Sequence, residues 1–564
     1  MSAPRRQRAA TYIADQLEAF GVTHVFMVPA VLRRTLAEIE RRTSITAVHT
    51  HGEKSAAYMA DGYARVAHRP AVCMAQQVGA LNLAAGIRDA ALASSPVVAF
   101  TGGSPPLGGR QGLYQAADDL PAFDAYTKHN QALHDVTDIA PALHNAFRTA
   151  ASGNPGPVHL QFEGQEGEID RLDGVFPQVV PLTVDPAPSL DLAAIREIAD
   201  RLTVAERPII FAGGGVLKAG AGDAVRRYSA ETGIPVATSL SGRGTIAETD
   251  PLAVGVIGTY SRKSANRTMQ EADVVLILGS STGSMVTNFW RLPADNAEIL
   301  QIDIDPEMIG RNYPVTVGAT GDLRFAVEQL AGQEVPIQQD RDEWHSRIAD
   351  LRDEWLEERQ PMLESDAVPI RPERLCSELT AALPDDGAMV VDTGHAGMWM
   401  ASMFEITSPN QRFIRSSGHL GWAFSAALGG KCADSERPVI AFTGDLGFWY
   451  HIAEIETAVR HRINTVTVVN NNHSGNQSRR GFTLAYDGKP TERSRALWVQ
   501  REVNFAAIAN EIGALGFRVE HPDEIGPALR QALAADEPVI IDVVTDIDAA
   551  APLAWDADGW VQRY

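Results

Sequence analysis

The sequence has few of the features that mark secreted, membrane-spanning or disulfide-linked proteins. Only three of its 564 residues are cysteines, and Cys73, Cys376 and Cys432 have neither a metal-ligand nor a redox spacing. We therefore predict ordinary thiols and no disulfides. No run of about eighteen apolar residues is present, and the N-terminus lacks a hydrophobic signal core. We expect a cytoplasmic protein without a membrane partner.

Basic residues are also scarce. The chain has 49 Lys and Arg against 71 Asp and Glu, which gives a formal net charge of -22 at pH 7. Because nucleic-acid phosphates attract clustered Lys and Arg, this balance argues against a nucleic-acid partner. An apolar content of 45% is typical of a globular protein, and the length predicts about three or four domains.

Strand-like and helix-like segments alternate along three blocks of the chain. The predicted strands are 25–28, 71–74, 96–100, 157–161, 208–212, 274–278, 299–303, 437–442 and 465–469, and helical patterns cover 340–359 and 452–459. This order predicts an α/β protein with three Rossmann-like, doubly wound parallel-sheet domains. We place them at 1–180, 190–335 and 370–550, followed by a C-terminal tail at 551–564.

Two polar residues follow neighbouring strands of the third block. Asp445 comes after strand 437–442, and Asn472 comes after strand 465–469, 27 positions later. In an open parallel sheet, ligands bind at the carboxyl ends of the strands, with anions at the N-terminus of the next helix. Carboxylate and amide oxygens suit Mg2+, which commonly keeps phosphate oxygens in its shell. The pair therefore predicts a site for a metal-bridged diphosphate.

The spacing from Gly444-Asp445 to Asn472 resembles the thiamine-diphosphate motif of the acetolactate synthase-like enzymes. The most specific match is segment 51–65, in which Glu53 precedes an Asp-Gly-Tyr-Ala-Arg string by eight residues. A glutamate at this place is a hallmark of that family. The resemblance covers nearly all of the chain and implies that its three blocks are the pyrimidine-binding, central and diphosphate-binding domains.

The resemblance also implies roles for individual residues. Thiamine diphosphate supplies a carbanion, and Glu53 would share a proton with its pyrimidine ring. The carbonyl of Gly418 would accept a hydrogen bond from the pyrimidine amino group, and Leu420 would wedge the two rings together. The metal ligands would be Asp445, Asn472 and the main-chain oxygen of Ser474. Other residues expected at the site are Gln115 and His419 as catalytic groups, His395 and Gly444 as cofactor contacts, and Lys128.

Several segments differ from the family pattern. Leu446 stands where relatives usually have a small residue, and its side chain could crowd the diphosphate. Segment 77–82 replaces a Gly-Pro-Gly loop, and Ala30 replaces the glycine of an early Pro-Gly, so the substrate-facing loops have changed. His49 and His51 could act as acid–base groups, although a lone histidine is more often structural.

The central block carries a weaker signal for a nucleotide. Segments 212–216 and 302–306 resemble the flavin-binding part of acetolactate synthases, but Gly-Ser-Ser-Thr-Gly at 279–283 replaces the expected arginine-bearing string. A glycine-rich loop after a strand is weak evidence for a nucleotide. FAD is left as an uncertain second cofactor. A nicotinamide-dependent dehydrogenase is a further alternative, but it leaves Glu53 and the Asp445–Asn472 pair unexplained.

These observations predict a decarboxylase and carboligase that depends on thiamine diphosphate and Mg2+ and acts on a 2-oxo acid, with pyruvate as the leading guess. The alternatives are a thiamine-diphosphate-dependent lyase or a flavin-linked oxidase on another substrate, and a non-catalytic relative, which Leu446 suggests. By the resemblance, Glu53 and Asp445 of different subunits share one active site. We therefore expect a homodimer or a homotetramer.

Overall fold

The computed structural model describes residues 4–104, 112–333 and 340–552. It contains three six-stranded sheets in which every strand pair is parallel, within residues 24–163, 208–320 and 388–544. The predicted fold of three Rossmann-like α/β domains is confirmed. Each predicted domain range encloses one six-stranded sheet, although the boundaries themselves stay a prediction. Most of the predicted tail, from residue 553 onward, lies outside the described residues.

The first domain combines a parallel sheet with a small antiparallel pair. Its strands are β1 (Arg5–Arg8), β2 (His24–Met27), β3 (Thr46–His49), β4 (Ala71–Ala75), β5 (Val97–Gly103), β6 (His129–Leu133), β7 (Val158–Glu163) and β8 (Asp173–Phe176). Its helices are α1 (Ala9–Ala19), α2 (Arg33–Arg42), α3 (Glu53–Ala67), α4 (Ala80–Leu92) and α5 (Ile139–Ala151). The sheet order is β3-β2-β4-β5-β7-β6, while β1 pairs with β8.

The central domain has a different strand order. Its strands are β9 (Pro208–Ala212), β10 (Val236–Thr238), β11 (Ala253–Val256), β12 (Val274–Leu278), β13 (Glu298–Asp303) and β14 (Val317–Thr320). Its helices are α6 (Leu192–Val204), α7 (Gly214–Lys218), α8 (Gly222–Thr232), α9 (Lys263–Glu271) and α10 (Leu323–Ala331), and α11 (Asp342–Leu363) leads out of it. The order β11-β10-β9-β12-β13-β14 is that of dinucleotide-binding Rossmann sheets.

The third domain repeats the topology of the first. Its strands are β15 (Ala388–Val391), β16 (Arg412–Arg415), β17 (Val439–Gly444), β18 (Val466–Asn471), β19 (Leu515–Val519) and β20 (Val539–Val544). Its helices are α12 (Pro372–Ala382), α13 (His395–Ser402), α14 (Trp422–Ala433), α15 (Asp445–Trp449), α16 (Glu454–His461), α17 (Asn476–Ala485), α18 (Phe505–Ile512) and α19 (Pro522–Ala534). The order β16-β15-β17-β18-β20-β19 corresponds, strand for strand, to that of the first sheet.

The long apolar strands were predicted best because both faces of a covered parallel sheet are buried. All five residues of β9 and of β12 are buried, as expected for strands between two helical layers. One boundary is corrected near the site: β17 ends at Gly444, two residues after the predicted end of the strand at 442, and Asp445 is the first residue of α15. The carboxylate thus lies at a helix N-terminus.

The first and third domains pack directly on each other through α3 and α14. A Cβ atom on Gly62 would lie 2.0 Å from the carbonyl oxygen of Ala426, and one on Gly429 would lie 1.8 Å from that of Met59. Only glycine permits so close an approach of two helix backbones. This crossing fixes how the two domains meet within one chain.

The sequence predicts ordinary cysteine thiols, and it contains no apolar run long enough to span a membrane. Cys73 and Cys376 are buried, and Cys432 is partly buried. Within the described residues, no helix is both long and apolar enough to span a membrane.

Candidate active site

The three predicted metal ligands lie together at the carboxyl edge of the third sheet. The N–H of Ser474 donates to Oδ2 of Asp445 at 2.9 Å and to Oδ1 of Asn472 at 3.1 Å. Because they share one donor, the two side-chain oxygens are close neighbours. No group of three or more His, Cys, Asp or Glu side chains in the described ranges is arranged to hold a metal, so a metal here would depend on amide and main-chain oxygens as well.

Buried oxygen atoms at this edge of the third sheet are suited to bind a cation. It raises the pKa of Asp445 to about 6, although backbone N–H groups, among them that of Ser474, act in the opposite direction. Oδ1 of Asn470, which lies beside Gly444 in the sheet, is buried and has no hydrogen-bond partner among the described residues. A divalent cation would keep the carboxylate ionised and would be held by hard oxygen donors. The residues present therefore fit Mg2+ with a diphosphate.

Leu446, the main departure from the family motif, packs against the loop that follows β18. Its Cδ2 atom lies 3.2 Å from the position that a Cβ on Gly475 would occupy. The larger side chain at 446 is thus accommodated by the absence of one at 475. This packing places Leu446 against the Asn472–Gly475 turn.

We call residues 416–421 the cofactor loop, because they include Gly418 and Leu420. A buried carboxylate that was not predicted from the sequence, that of Asp392, accepts a hydrogen bond from this loop. Asp392 follows β15 and accepts hydrogen bonds from the N–H of Gly421 at 3.1 Å, the N–H of Thr393 at 2.8 Å and the hydroxyl of Thr443 at 3.0 Å. Burial raises its pKa to about 6, against the effect of these donors. Its one sequence signal is an acidic residue directly after a buried strand.

The first domain also forms hydrogen bonds with the cofactor loop. Asp89 on α4 accepts from the N–H of Ser417 at 3.0 Å and from that of His419 at 3.3 Å. Arg65 joins Asp89 to Asp61 through ion pairs of 2.9 Å and 2.6 Å. The segment that carries Gly418 and Leu420 is therefore positioned by two domains of one chain. Sequence reasoning missed Asp89, since nothing local distinguishes it from an ordinary helix residue.

His419 has both ring nitrogens occupied. Nη1 of Arg88 donates to Nε2 at 3.0 Å, and the hydroxyl of Tyr58 lies 2.9 Å from Nδ1. Because arginine can only donate, Nε2 must accept, so the proton of the neutral ring lies on Nδ1. Burial, aided by Arg88, lowers the pKa of His419. The ring is thus neutral and fixed in one tautomer beside Gly418.

Glu53 and Gln115 both approach the turn after β4. Glu53 is the first residue of α3, and a Cβ on Gly79 would lie 2.4 Å from its Oε1, while Nδ2 of Asn82 donates to its Oε2 at 3.3 Å. Nε2 of Gln76 donates to Oε1 of Gln115 at 3.5 Å. The altered segment 77–82 therefore shapes the surroundings of Glu53, and Gly79 leaves the space that its carboxylate occupies.

The residues around Glu53 contact the third domain of the same chain. Oγ of Ser55 lies 2.7 Å from Nδ1 of His451, and the N–H of His51 donates to Glu454 at 3.0 Å. The ring of His51 pairs with Glu456, so this predicted acid–base candidate serves as an interdomain contact. The N-terminus of α3 lies against the connection between α15 and α16.

Three other candidates lie in different settings. His395 begins α13; burial and then Arg480 lower its pKa to about 4, and its buried Nδ1 has no hydrogen-bond partner among the described residues. It can therefore contact a cofactor as a neutral ring. Lys128 instead donates to the carbonyls of Ser152 and Asn154. Burial, followed by Arg460, lowers the pKa of His49.

The glycine-rich loop of the central domain borders a groove of about 590 Å3. A Cβ on Gly213 would lie 2.2 Å from the carbonyl oxygen of Gly279, and one on Gly215 would lie 2.8 Å from the Cα of Gly279. These two glycines thus permit close packing of two loops. Gly214, Asp303 and Ser280 line the groove on the side of the central domain, and segments 92–94 and 415–417 line it from the first and third domains.

Family models match each of the three domains. The thiamine pyrophosphate enzyme models match at residues 7–122 for the N-terminal TPP binding domain, 195–330 for the central domain and 392–543 for the C-terminal TPP binding domain. Pyrophosphate and diphosphate are two names for the same group. Together with this fold and site, and with full-length relatives, these matches show that the chain belongs to the thiamine pyrophosphate enzyme family.

Relatives along the whole chain narrow the class to acetolactate synthase-like enzymes. The probable acetolactate synthase large subunit of Methanocaldococcus jannaschii is 32% identical over 97% of this chain and 93% of its own. The acetolactate synthase large subunit of Corynebacterium glutamicum is 30% identical over 97% of this chain and 88% of its own. The sulfoacetaldehyde acetyltransferase of Castellaniella defragrans is 28% identical over 96% of this chain and 94% of its own. The predicted resemblance and enzymatic character are confirmed.

Proposed function

We propose that this enzyme uses thiamine diphosphate and Mg2+ to decarboxylate a small 2-oxo acid and to join the resulting fragment to an acceptor carbonyl. The observation that carries the proposal is the convergence of Asp445 and Asn472 on one N–H at the edge of the third sheet. That arrangement supports a metal-bridged diphosphate beside the loop that contains Gly418 and Leu420. Pyruvate is the leading substrate, because several relatives are named acetolactate synthase.

Each residue then has one task. Asp445, Asn472 and the main-chain oxygen of Ser474 would hold Mg2+, and the main chain of Gly444 would contact the diphosphate. The carbonyl of Gly418 would accept a hydrogen bond from the pyrimidine amino group, and Leu420 would support the cofactor. When bound, thiamine diphosphate supplies the nucleophilic carbon that attacks the substrate carbonyl.

The remaining candidates act on protons and on orientation. Glu53 exchanges a proton with the pyrimidine ring. His395 contacts the cofactor as a neutral ring, and Gln115 orients the substrate. His419 keeps a fixed tautomer beside Gly418, so it donates or accepts only through its hydrogen bonds to Tyr58 and Arg88.

We further propose that two chains form the active unit, with Glu53 of one chain serving the metal site of the other, in a homodimer or a homotetramer. The relatives from Methanocaldococcus jannaschii and Corynebacterium glutamicum are named large subunits, so the mass measurement should also be made for an additional small subunit. FAD in the central groove remains part of the proposal, since Gly214 and Asp303 line a space of about 590 Å3 there. Mass measurement of the reconstituted protein and its absorbance near the flavin bands test both points.

The decisive experiment is turnover of a 2-oxo-acid panel, including pyruvate, by protein reconstituted with thiamine diphosphate and Mg2+. Carbon dioxide release and products are followed by mass spectrometry. Acetolactate from pyruvate supports the proposal. Sulfoacetaldehyde belongs in the panel because one full-length relative is named for it; its conversion without carbon dioxide release would replace the proposal with a lyase or acyl-transferase reaction.

The metal site has its own test in Asp445→Ala. Removing this carboxylate should weaken Mg2+ and thiamine-diphosphate binding together by at least about tenfold, since charge-assisted contacts to the ion are lost. Titration calorimetry measures both affinities. Asp353→Ala, an exposed acidic residue on α11, is the control and should leave them unchanged. Equal affinities in Asp445→Ala would contradict the metal assignment.

A further inference from the structure

Helix α17 starts at the carboxyl edge of the third sheet, beside the proposed metal site. Its first residue, Asn476, comes two positions after Ser474 in the turn that follows β18. Nε2 of the next residue, Gln477, donates to the hydroxyl of Tyr260 at 3.2 Å. Oε1 of Gln477 lies 2.8 Å from the position that a Cβ on Gly394 would occupy. The start of α17 therefore contacts both the β18 side of this edge and the residue that precedes α13.

These contacts place the first turn of α17 over the space that the cofactor would occupy. In the sheet, β17 lies between β15 and β18, and it ends at Gly444. A Cβ on Gly444 or on Gly418 would meet no atom within 4 Å, so the edge beneath the helix is open. The side chain of Gln477 thus faces the region in which the proposed metal, diphosphate and substrate would meet.

Arg480 lies on the same face of α17 as Gln477, because residues three positions apart are neighbours on a helix. Its charge acts on His395, the first residue of α13, where burial and then Arg480 lower the pKa to about 4. The adjacent Arg479 instead pairs with Asp548 at 2.8 Å. The ten residues of α17 include no acidic residue, although the chain has a net charge of -22. The helix face above the cofactor space is therefore cationic.

We propose that this face of α17 recognises a second anionic group, a carboxylate or a sulfonate, at the non-reacting end of the donor or acceptor substrate. The inference rests on the proposed thiamine-diphosphate chemistry and adds the class of substrate to it. The guanidinium of Arg480 has five N–H donors and can bind two oxygens of one anion. The amide of Gln477 has a second N–H beside the one that it donates to Tyr260. A Cβ on Gly481 would meet no atom within 4 Å, so the helix leaves room for a substituent.

The reacting carboxylate of a 2-oxo acid is a poor partner for Arg480. Decarboxylation converts this anion into neutral carbon dioxide, so a cation bound to it would stabilise the ground state more than the transition state. A non-reacting anionic group keeps its charge throughout the reaction, and a cation bound to it orients the substrate without raising the barrier. Arg480 is therefore assigned to the non-reacting end of the substrate.

The test is titration calorimetry of the full-length protein saturated with Mg2+ and thiamine thiazolone diphosphate, an inert analogue of the cofactor, so that binding is measured without turnover. The ligands are 2-oxoglutarate, 2-oxo-4-sulfobutanoate and 5-methyl-2-oxohexanoate, in which two methyl groups replace the distal carboxylate oxygens. We expect a dianion to bind at least about tenfold more tightly than the methyl analogue, since it gains charge-assisted hydrogen bonds. The dianion that binds more tightly identifies the anionic group as carboxylate or sulfonate.

The variants locate this preference on one side chain. Arg480→Met removes the charge but keeps a long side chain, so it should abolish the preference for the dianion and leave the affinity for 5-methyl-2-oxohexanoate within about twofold. Arg480→Lys, which keeps the charge, should retain part of the preference. Arg479→Met is the matched control, because Arg479 is adjacent on the same helix but pairs with Asp548; the preference should be unchanged. Thermal scans confirm that the variants are folded.

Equal affinities for the dianions and the methyl analogue, or an unchanged preference in Arg480→Met, would overturn the proposal. An equal loss of affinity for all three ligands in Arg480→Met would also overturn it, because Arg480 would then bind the carboxylate that they share. Turnover of the 2-oxo-acid panel tests the proposed function separately. Conversion of pyruvate without any preference for a dianion would remove this inference alone, whereas a preference that depends on Arg480 without any turnover would remove the decarboxylation and keep the anion site.

Discussion

Asp392 and Asp445 show how single residues are used at the carboxyl ends of adjacent strands. Burial raises the pKa of each to about 6. Both carboxylates accept hydrogen bonds from the protein, but only Asp445 lies beside a second hard oxygen, that of the Asn472 amide, which suits a cation. The same residue type thus serves two purposes, decided by its neighbours.

The role of Asp392 leads to a prediction. Asp392→Asn would replace one of the two accepting oxygens by an NH2 group, which would face either the N–H groups of Thr393 and Gly421 or the N–H of Gly421 and the hydroxyl of Thr443. We therefore expect a loss of about 1–3 kcal/mol of stability and weaker cofactor binding. Thermal unfolding and thiamine-diphosphate titration measure the two effects. Thr443→Val removes one donor only and should cost less. An unchanged cofactor affinity in Asp392→Asn would show that the cofactor loop does not need this support.

A substitution of Glu53 should lower turnover without weakening cofactor binding. Glu53→Gln keeps the shape of the side chain but removes its ability to exchange a proton, so turnover should fall by about 100-fold or more. Thiamine-diphosphate affinity should change little, because the diphosphate and metal contacts belong to the third domain. Glu511→Gln, at an exposed position, is the control for turnover and affinity. Undiminished turnover in Glu53→Gln would remove Glu53 from the proposed mechanism.

At the scale of elements, the close crossing of α3 and α14 should be sensitive to one methyl group. Gly62→Ala places a Cβ 2.0 Å from the carbonyl oxygen of Ala426, and separating the helices should cost about 1–3 kcal/mol or more. Gly481→Ala in α17 meets nothing within 4 Å and should be neutral or stabilising by about 0.5–1 kcal/mol. Unfolding midpoints compare the two; equal values would mean that the crossing is not tight.

At the scale of the whole molecule, a buried ionic network joins the central and third domains. Glu248 binds Arg243 and Arg262, each at 2.8 Å, and Arg243 also donates to the carbonyls of Met400 and Phe404. Burial alone would raise the pKa of Glu248, but the two arginines outweigh it and lower the pKa to about 2. The network is therefore stable only while Glu248 is ionised.

This network predicts a specific pH dependence. Because the pKa of Glu248 falls from an unfolded value of about 4.5 to about 2, its stabilisation is complete above about pH 4.5 and is lost as the pH falls from there through about 2. Glu248→Gln should destabilise by about 3–5 kcal/mol at pH 7, since breaking a buried pair leaves unpaired charge.

The difference between the unsubstituted protein and Glu248→Gln should shrink below about pH 4.5, as followed by thermal unfolding. Glu197→Gln, in an exposed pair with Arg201, should cost less than about 1 kcal/mol at any pH. A constant difference between the unsubstituted protein and Glu248→Gln down to about pH 3 would contradict the assignment.

The sequence alone determined the fold class and predicted which residues would form a metal site at the carboxyl edge of the third sheet. Long apolar strands such as β9 and β12 are visible because burial on both faces leaves a continuous apolar run. Asp445 and Asn472 were found because each follows such a strand, and parallel strands bring their carboxyl ends to one edge. Strands that carry polar residues, such as β6 and β16, gave no comparable signal, although β6 is as long as β9.

The tertiary structure decided everything that depends on distant parts of the chain. Asp89 and Asp392 are unremarkable in sequence, and only folding brings both of them into hydrogen-bonding contact with the cofactor loop. Leu446 was predicted as an obstacle, whereas its packing against Gly475 depends on a turn about thirty residues away. Local patterns determine strands and helices, but contacts between domains are set by geometry that no local pattern contains.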